Sequence, residues 1–240
     1  MSAKIIDGKE IAKEIRAEIK EKVAALVARG VRPGLGVILV GEDPASVSYV
    51  TGKEKALAEA GMASFGRHLP AETSQEELLA LVRAYNEDPR IHGILVQLPL
   101  PKHIDEKAVI AAISPEKDVD GFTPINVGRM LLEEPCYLPC TPNGVIELIR
   151  RSGVETKGRH AVVVGRSNIV GKPLINLLIR KSINATVTLC HTGTKDLASY
   201  CKRADILIAC AGRAGLIGGD MIKPGACVID IRIKSVEDPS

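Results

Sequence analysis

Tyr49 and Lys53 are the pair of residues in this sequence with the clearest potential for chemistry. A spacing of four places both side chains on one face of a helix, one turn apart. An aromatic ring beside an amine can hold a flat substrate and move protons on it. The chain has two Phe, four Tyr and no Trp, so aromatic residues are rare in it, and one at this position is not explained by composition. On spacing alone, the commoner interpretation is an ordinary amphipathic helix with its Tyr in the core and its Lys in water.

Gln97 lies near the end of an otherwise apolar run at residues 93–98. Such a run predicts a strand that is buried on both faces, where an amide is costly unless it is hydrogen-bonded. The prolines of residues 99–101 end the strand, which puts Gln97 at its carboxyl end, where open α/β sheets bind their ligands. A hydrogen-bonded amide at the edge of the core explains the same pattern, so the sequence leaves both interpretations open.

Two carboxylates, Asp118 and Asp120, flank a single Val just before Gly121. In a loop such residues commonly make turns. The alternative is that one carboxylate faces a ligand while the other caps backbone N–H groups. A calcium loop would need more oxygen ligands than this segment offers.

A glycine-bounded loop, Gly165 to Gly171, follows the apolar run 160–164 and precedes the apolar segment 174–179. Strand, loop and helix in this order form the phosphate-binding layout, because backbone N–H groups and the helix N-terminus face the anion. The loop is not a G-x-G-x-x-G sequence. Support for a nucleotide site therefore comes from the further strand–helix units that follow it.

The end of the second strand of that region indicates which nucleotide would bind. An NAD site usually places a carboxylate there, on the ribose 2′-hydroxyl. Residues 190–193 read Cys-His-Thr-Gly and contain no carboxylate. Arg166 in the first loop, together with Thr192 and Lys195, favours a 2′-phosphate and hence NADP. Solvated polar loop residues would give the same pattern.

The elements that position the N-terminal residues alternate between helix and strand. Asp7 with Glu10, and Ser74 with Glu77, have the spacing of capping boxes at helix starts. We predict strands at 35–40, 64–69 and 93–98, and helices at 7–30, 44–61, 74–85 and 104–113. In the first helix an apolar stripe recurs on one face, formed by Ile11, Ile15, Ile19, Val23 and Leu26.

The segment Pro139–Gly144 is rich in Pro and Gly and predicts a domain boundary between residues 140 and 141. Thr141 is expected to cap the next helix, with Pro142 at its first position. Strands are predicted beyond it at 160–164, 185–190, 204–210 and 227–233. Domains are therefore expected at residues 1–140 and 141–240.

Composition excludes several classes of protein. The 240 residues suit one large or two small domains, and the net charge of +3 without a basic run does not predict nucleic-acid binding. Apolar runs are strand-sized, so neither a membrane span nor a signal peptide is indicated. The six cysteines lack a C-x-x-C pair, so the sequence does not indicate a metal site, and free thiols suit a reducing cytoplasm.

Eight motifs in order resemble one family, the bifunctional methylenetetrahydrofolate dehydrogenase/methenyltetrahydrofolate cyclohydrolases of the FolD type. They are PASVSYVTGKEKA, GILVQLPLP, KDVDGF, PCTPNGV, GRSNIVGKPL, ATVTLCHT, ADILIACAG and IKPGACVID, and they extend to Asp230. The resemblance implies an N-terminal three-layer α/β domain, a C-terminal Rossmann-like dinucleotide-binding domain and an active-site cleft between them.

The resemblance also implies roles for individual residues. Tyr49 would stack on the folate, Lys53 would be the catalytic amine, Gln97 would orient it, and Asp120 would bind the amino edge of the pterin. Leu98 would complete the folate contacts. NADP would be bound by Gly165, Arg166, Ser167, Gly171, His191, Thr192 and Ile233. The protein would act as a cytoplasmic homodimer on tetrahydrofolate derivatives in one-carbon metabolism and purine biosynthesis, without nucleic acid, membrane or metal.

The sequence departs from the family pattern at two places. Arg232 stands where the family usually has a Gly that lets the backbone approach nicotinamide. The sequence stops at Ser240, whereas family members continue through about one further strand and helix. Both departures concern the dehydrogenase, so the alternative is a shortened folate- or nucleotide-binding homologue with cyclohydrolase activity only or with none. Another NAD(P)-dependent dehydrogenase of the same architecture is a third, weaker interpretation.

Overall fold

The computed structural model of the chain describes residues 3–213 and 215–231, and the chain divides into two compact units. One unit is Met1–Arg129 with Pro135–Leu138, and the other is Met130–Glu134 with Pro139–Ser240. Each has a parallel sheet with helices, as the predicted α/β class requires. Within the described residues, no helix combines the length and apolar character that crossing a bilayer requires.

The sheet of the first unit has three parallel strands in the order β2–β1–β3. They are β1 (Gly34–Val40), β2 (Ala63–Leu69) and β3 (Gly93–Val96). The central strand β1 is almost wholly buried, as its unbroken apolar run predicts. β3 ends two residues earlier than predicted, but the backbone N–H of Gln97 still donates to the Ile38 carbonyl at 2.8 Å.

The first five helices in chain order are α1 (Gly8–Ala28), α2 (Pro44–Ala60), α3 (Gln75–Glu87), α4 (Glu106–Ala112) and α5 (Pro124–Leu131). The capping box of Ser74 and Glu77 at the start of α3 is confirmed. Asp7 caps α1 as predicted, but the Glu10 carboxylate accepts a hydrogen bond from the Lys13 amine instead of completing a box.

The apolar stripe of α1 is only partly buried. Val23 is its buried residue, whereas Ile19 is 39% exposed and Leu26 is 36% exposed. In the described part of the chain α1 packs against α2, and one helix covers only a narrow strip of another.

Helix α5 was not expected from the sequence. Its start is marked by Thr123, whose hydroxyl oxygen accepts from the Asn126 N–H, followed by Pro124 at the first position. The helix has only eight residues, which is too short for a periodic apolar pattern to stand out.

The sheet of the second unit has four parallel strands in the order β5–β4–β6–β7. The strands are β4 (His160–Val164), β5 (Thr186–Cys190), β6 (Ile206–Ala209) and β7 (Cys227–Asp230), and the helices are α6 (Cys140–Arg151), α7 (Gly171–Leu178) and α8 (Leu197–Arg203). Because β5 and β6 lie on opposite sides of β4, the loops that follow β4 and β6 diverge and leave a crevice at the carboxyl ends of the strands.

Helix α6 begins two residues earlier than predicted. Pro139 is its N-cap residue and forms no side-chain cap, so Thr141 and Pro142 lie inside the first turn. A proline is tolerated there because the first backbone nitrogens of a helix have no intrahelical acceptor.

We expect Asp205→Asn to destabilise the second unit by about 1 kcal/mol near neutral pH. Asp205 accepts hydrogen bonds from the Lys223 amine and from the backbone N–H of His160, joining β4 to the segment before β7. The Lys223 bond, and then the His160 bond, hold the pKa of the Asp205 carboxyl below its usual value.

A lowered pKa in the folded state means that this contribution is present above about pH 4 and is lost as the pH falls through the folded-state pKa. Thermal melts from pH 7 to pH 3 should therefore show a smaller loss of stability on acidification in Asp205→Asn than in the parent protein. Identical slopes for the two proteins would contradict this assignment.

Candidate active site

Helix α2 presents Tyr49 and Lys53 one turn apart. The helix begins at Pro44, directly after Asp43, whose carboxylate accepts from the Ser46 N–H at 2.9 Å. Tyr49 is 58% exposed, whereas Lys53 is partly buried. An ordinary amphipathic helix would bury the ring and expose the amine, so the observed exposure is the reverse of that interpretation.

The amine of Lys53 donates a hydrogen bond of 2.7 Å to the Oε1 atom of Gln97, just beyond β3. The Nε2 atom of Gln97 in turn donates to the carbonyl of Leu98 at 2.7 Å. The amide is therefore satisfied on both sides, and its oxygen is directed at the amine. This arrangement joins the two features that the sequence singled out separately, since Gln97 is both a hydrogen-bonded amide and a partner of the candidate catalytic group.

Gly52 lies on α2 beside Lys53, and a Cβ atom added there would meet no heavy atom within 4 Å. We expect Gly52→Ala to raise the free energy of unfolding by roughly 0.5–1 kcal/mol, because alanine has the higher helix propensity. Urea unfolding measures this effect. A lower stability would contradict the prediction, and a raised KM for substrate would show that the ligand needs this space.

The two aspartates after β3 have different surroundings. Asp118 is 1% exposed and accepts hydrogen bonds from the backbone N–H groups of Phe122 and Thr123. Asp120 is half-buried. The Asp118 carboxylate therefore satisfies backbone donors, and the Asp120 carboxylate remains the candidate ligand contact.

In the second unit, a cavity of about 560 Å³ lies at the carboxyl ends of β4, β5 and β6. Five of the residues expected to contact a dinucleotide line it, namely Gly165, Arg166, Ser167, His191 and Thr192. Ile233, and the departure at Arg232, lie outside the described residues. The loops after three parallel strands thus converge where an open α/β sheet binds its ligand.

Gly165 and Gly171 give the phosphate-binding loop its close backbone packing. Gly165 has a φ of +129°, and a Cβ atom there would lie 2.9 Å from the Cys210 carbonyl. A Cβ atom on Gly171 would lie 2.0 Å from the Gly165 carbonyl oxygen. Both positions therefore require glycine for the loop to hold this shape, which leaves room for an anion beside the backbone.

Ser167 and His191 are oriented by backbone groups within the cavity wall. The Ser167 hydroxyl oxygen accepts from the N–H groups of Val170 and Gly171, at 3.2 and 3.4 Å, in the turn that leads into α7. The helix itself begins at Gly171, three residues before the predicted position. The hydroxyl hydrogen of Ser167 remains available to a phosphate. The Nδ1 atom of His191 accepts from the Gly193 N–H at 3.0 Å, so the neutral ring carries its hydrogen on Nε2.

Sequence reasoning missed three polar residues of this cavity: Thr194, Cys210 and Arg213. Thr194 closes the loop after β5, since its hydroxyl oxygen accepts from the His191 N–H at 2.8 Å. Arg213 follows β6 by a few residues. Their positions in the sequence could have identified them as cavity residues, because each lies at or just beyond the carboxyl end of a predicted strand.

The two units together define an α/β protein of the dinucleotide-binding enzyme class. The first carries a hydrogen-bonded amine beside an exposed aromatic ring, and the second carries a glycine-bounded cavity at the carboxyl ends of its strands. Residues 6–120 match the catalytic domain of the tetrahydrofolate dehydrogenase/cyclohydrolases, and residues 139–240 match their NAD(P)-binding domain. The chain belongs to the tetrahydrofolate dehydrogenase/cyclohydrolase family, as the sequence motifs predicted.

Individual relatives agree with this assignment over nearly the whole chain. The bifunctional protein FolD of Moorella thermoacetica is 58% identical, and the match covers 98% of this chain and 84% of the relative. The crystal structure of the bifunctional FolD enzyme of Campylobacter jejuni superposes with a TM-score of 0.95 at 44% identity, covering 98% and 83% of the two chains. The Trypanosoma brucei FolD structure, complexed with NADP cofactor and inhibitor, gives a TM-score of 0.94 at 44% identity, covering 100% and 82%.

Proposed function

We propose that the protein oxidises 5,10-methylenetetrahydrofolate to 5,10-methenyltetrahydrofolate with NADP, and then hydrolyses the product to 10-formyltetrahydrofolate. The observation that carries the proposal is the hydrogen bond between Lys53 and Gln97 beside an exposed Tyr49. A core helix would not direct an amine at a buried strand end while leaving its aromatic ring in solvent.

In the first unit, the exposed ring of Tyr49 offers a flat apolar face on which the folate can stack. The half-buried carboxylate of Asp120 can accept two hydrogen bonds from the amino-pyrimidinone edge of the pterin. Gln97 and Leu98, just beyond β3, would complete the contacts with the folate. Stacking on Tyr49 and hydrogen bonds from the pterin to Asp120 would together hold the one-carbon bridge near the Lys53 amine.

Hydrolysis of the methenyl cation requires the attacking water to lose both of its protons as its oxygen becomes the formyl carbonyl. The cleaved ring nitrogen gains one of these protons, and the other is released to solvent. An amine within hydrogen-bond reach of that water can carry a proton from the water to the ring nitrogen. Lys53 is suited to this task because Gln97 holds its amine in one direction by a bond of 2.7 Å. Partial burial of Lys53 also limits competition from bulk water.

In the second unit, the described residues fit a dinucleotide. The backbone cradle at Gly165 and Gly171 would accept the pyrophosphate, and Arg166, Ser167 and Thr192 would hold the adenosine phosphate. When bound, NADP supplies the carbon that accepts a hydride. The residues of the cavity wall contribute position and charge.

The proposal is tested by supplying purified protein with 5,10-methylenetetrahydrofolate and NADP. Absorbance follows the reduction of NADP, and chromatography of the products follows 10-formyltetrahydrofolate. A separate assay supplies 5,10-methenyltetrahydrofolate and measures its hydrolysis alone. Activity in both assays supports the full proposal, hydrolysis alone would reduce it to a cyclohydrolase, and inactivity in both would overturn it.

We also propose that the protein is a cytoplasmic homodimer, and that residues 1–140 and 141–240 are its folate and nucleotide domains. Free cysteines at six positions are compatible with a reducing compartment. Light scattering of the purified protein tests the oligomeric state, since a monomer has a mass of 25.6 kDa.

A further inference from the structure

The carboxylate of Asp118 is the centre of a buried hydrogen-bond cluster in the loop after β3. One oxygen accepts from the Thr123 N–H at 2.8 Å and from the Asn126 amide at 3.0 Å, and the other accepts from the Phe122 N–H at 3.2 Å. Asp118 is 1% exposed and Asn126 is fully buried. Hydrogen bonds to a carboxylate are stronger than those between neutral groups, so these donors fix the loop firmly to the start of α5.

The residues on both sides of Asp118 are fixed as well. The Lys117 amine donates to the carbonyls of Tyr85 and Asp88, at 3.1 and 2.8 Å, and so caps the end of α3. The Lys117 carbonyl accepts from the Ile94 N–H, which ties the loop to β3. The side chain of Val119 packs against Gly93, where an added Cβ atom would lie 2.4 Å from it.

The chain reverses direction immediately after Asp120. The Gly121 N–H donates to the Asp118 carbonyl at 3.1 Å, and Gly121 has a φ of +64°, a conformation that favours glycine. Asp120 therefore lies at the tip of a short turn whose two arms are joined through the Asp118 carboxylate and carbonyl. The side chains of Lys117, Asp118 and Val119 are held by the contacts described above, and among these four residues Asp118 is the buried one, while Asp120 is half-buried.

We infer that Asp118 is a positioning residue that sets the affinity for the folate by holding Asp120 in the geometry that pairs with the pterin. This inference rests on the proposed function. The Asp118 side chain does not touch the ligand in this scheme and acts only through the backbone that carries Asp120. To form two hydrogen bonds with the edge of the flat pterin ring, both oxygens of Asp120 must lie in the plane of that ring. A small tilt of the turn would therefore weaken both hydrogen bonds.

The test uses Asp118→Asn in the full chain, with hydrolysis of 5,10-methenyltetrahydrofolate as the readout. Asparagine keeps the size of the side chain but turns an N–H group toward donors, so the turn shifts. We expect KM to rise about tenfold or more with kcat changed less than about threefold, a split that a general loss of folded protein would not produce. Binding of NADPH, followed by its fluorescence, should be unchanged.

A double-mutant cycle shows whether Asp118 acts through Asp120. In the Asp120→Ala background, adding Asp118→Asn should change KM less than about twofold, because the group being positioned is already absent. If the two substitutions multiply in KM, or if Asp118→Asn lowers kcat at constant KM, the inference is overturned. Asp105→Asn is the matched control, since Asp105 caps α4 in the same unit with hydrogen bonds from two backbone N–H groups, and it should leave KM unchanged.

Asn126→Ala keeps the test decisive if Asp118→Asn does not fold. It removes one of the hydrogen bonds to the Asp118 carboxylate and should raise KM by a smaller factor than Asp118→Asn does. In the Asp120→Ala background it should leave KM unchanged. An unchanged KM in folded Asn126→Ala would then overturn the inference. If the parent protein neither binds nor hydrolyses the folate, the proposed function itself has failed, which is a separate outcome.

Discussion

Lys53→Met is expected to lower the rate of methenyltetrahydrofolate hydrolysis by on the order of 10²–10⁴-fold, the usual contribution of a positioned proton-transfer group. Methionine keeps the length and apolar stem of the side chain but cannot donate to the Gln97 amide or carry a proton. Folate affinity should be largely retained, because the ring of Tyr49 and the carboxylate of Asp120 do not depend on the amine. Stopped-flow hydrolysis, together with calorimetric titration of folate, separates the two quantities.

Lys55→Met is the matched control for this substitution. Lys55 lies on the same helix, is exposed, and is two residues away, so its loss removes the same charge without removing the bond to Gln97. Hydrolysis by Lys55→Met should stay within about twofold of the parent rate, as expected of an exposed lysine outside the site. Unchanged hydrolysis in Lys53→Met would show that another group moves the proton.

Arg166→Ala is expected to weaken NADP binding by about 10- to 100-fold while changing NAD binding little. A hydrogen bond to a charged group is worth about 1.5–3 kcal/mol, and only NADP carries the 2′-phosphate that the guanidinium would bind. Arg166 lines the same cavity as Thr192, at the end of β5, where an NAD site would place a carboxylate. Fluorescence titrations with NADPH and NADH measure the ratio of the two affinities.

Arg213→Ala serves as the control for charge alone, since Arg213 lines the same cavity from the loop after β6. In a Rossmann-like unit the 2′-position of the adenosine ribose lies by the end of the second strand, which here is β5. Loss of the Arg213 charge should therefore affect NADP and NAD by similar factors. If Arg166→Ala also weakens both equally, Arg166 does not discriminate between the cofactors.

Most of the fold could be predicted because its determinants are local in the sequence. The capping box at Ser74, the apolar runs of the buried strands and the Gly61 helix end each act within a few residues. The sequence left open what distant contacts decide. The exposure of much of the apolar stripe of α1 is an example, since nothing in its periodicity reveals which elements cover it.

The candidate site was only partly predictable, for a related reason. Residue types and spacing identified Tyr49, Lys53, Gln97 and Asp120, and the family motifs supplied their expected roles. The sequence could not establish that the amine of Lys53 bonds to the Gln97 oxygen, because these residues are 44 positions apart. Nor could spacing distinguish the two aspartates of the Asp-Val-Asp motif, since only the partners Phe122, Thr123 and Asn126 identify Asp118 as the buried one.

The sequence by itself determined the alternation of strands and helices, the glycine-bounded loop and the family, because each is encoded in short contiguous segments. The tertiary structure decided which side of α2 faces solvent, which aspartate is buried and how the loops after β4, β5 and β6 form one cavity. These properties depend on parallel strands that bring distant loops to the same edge of a sheet. The exposed ring of Tyr49 and the bonded amine of Lys53 are their clearest result, since the helix pattern alone favoured the opposite arrangement.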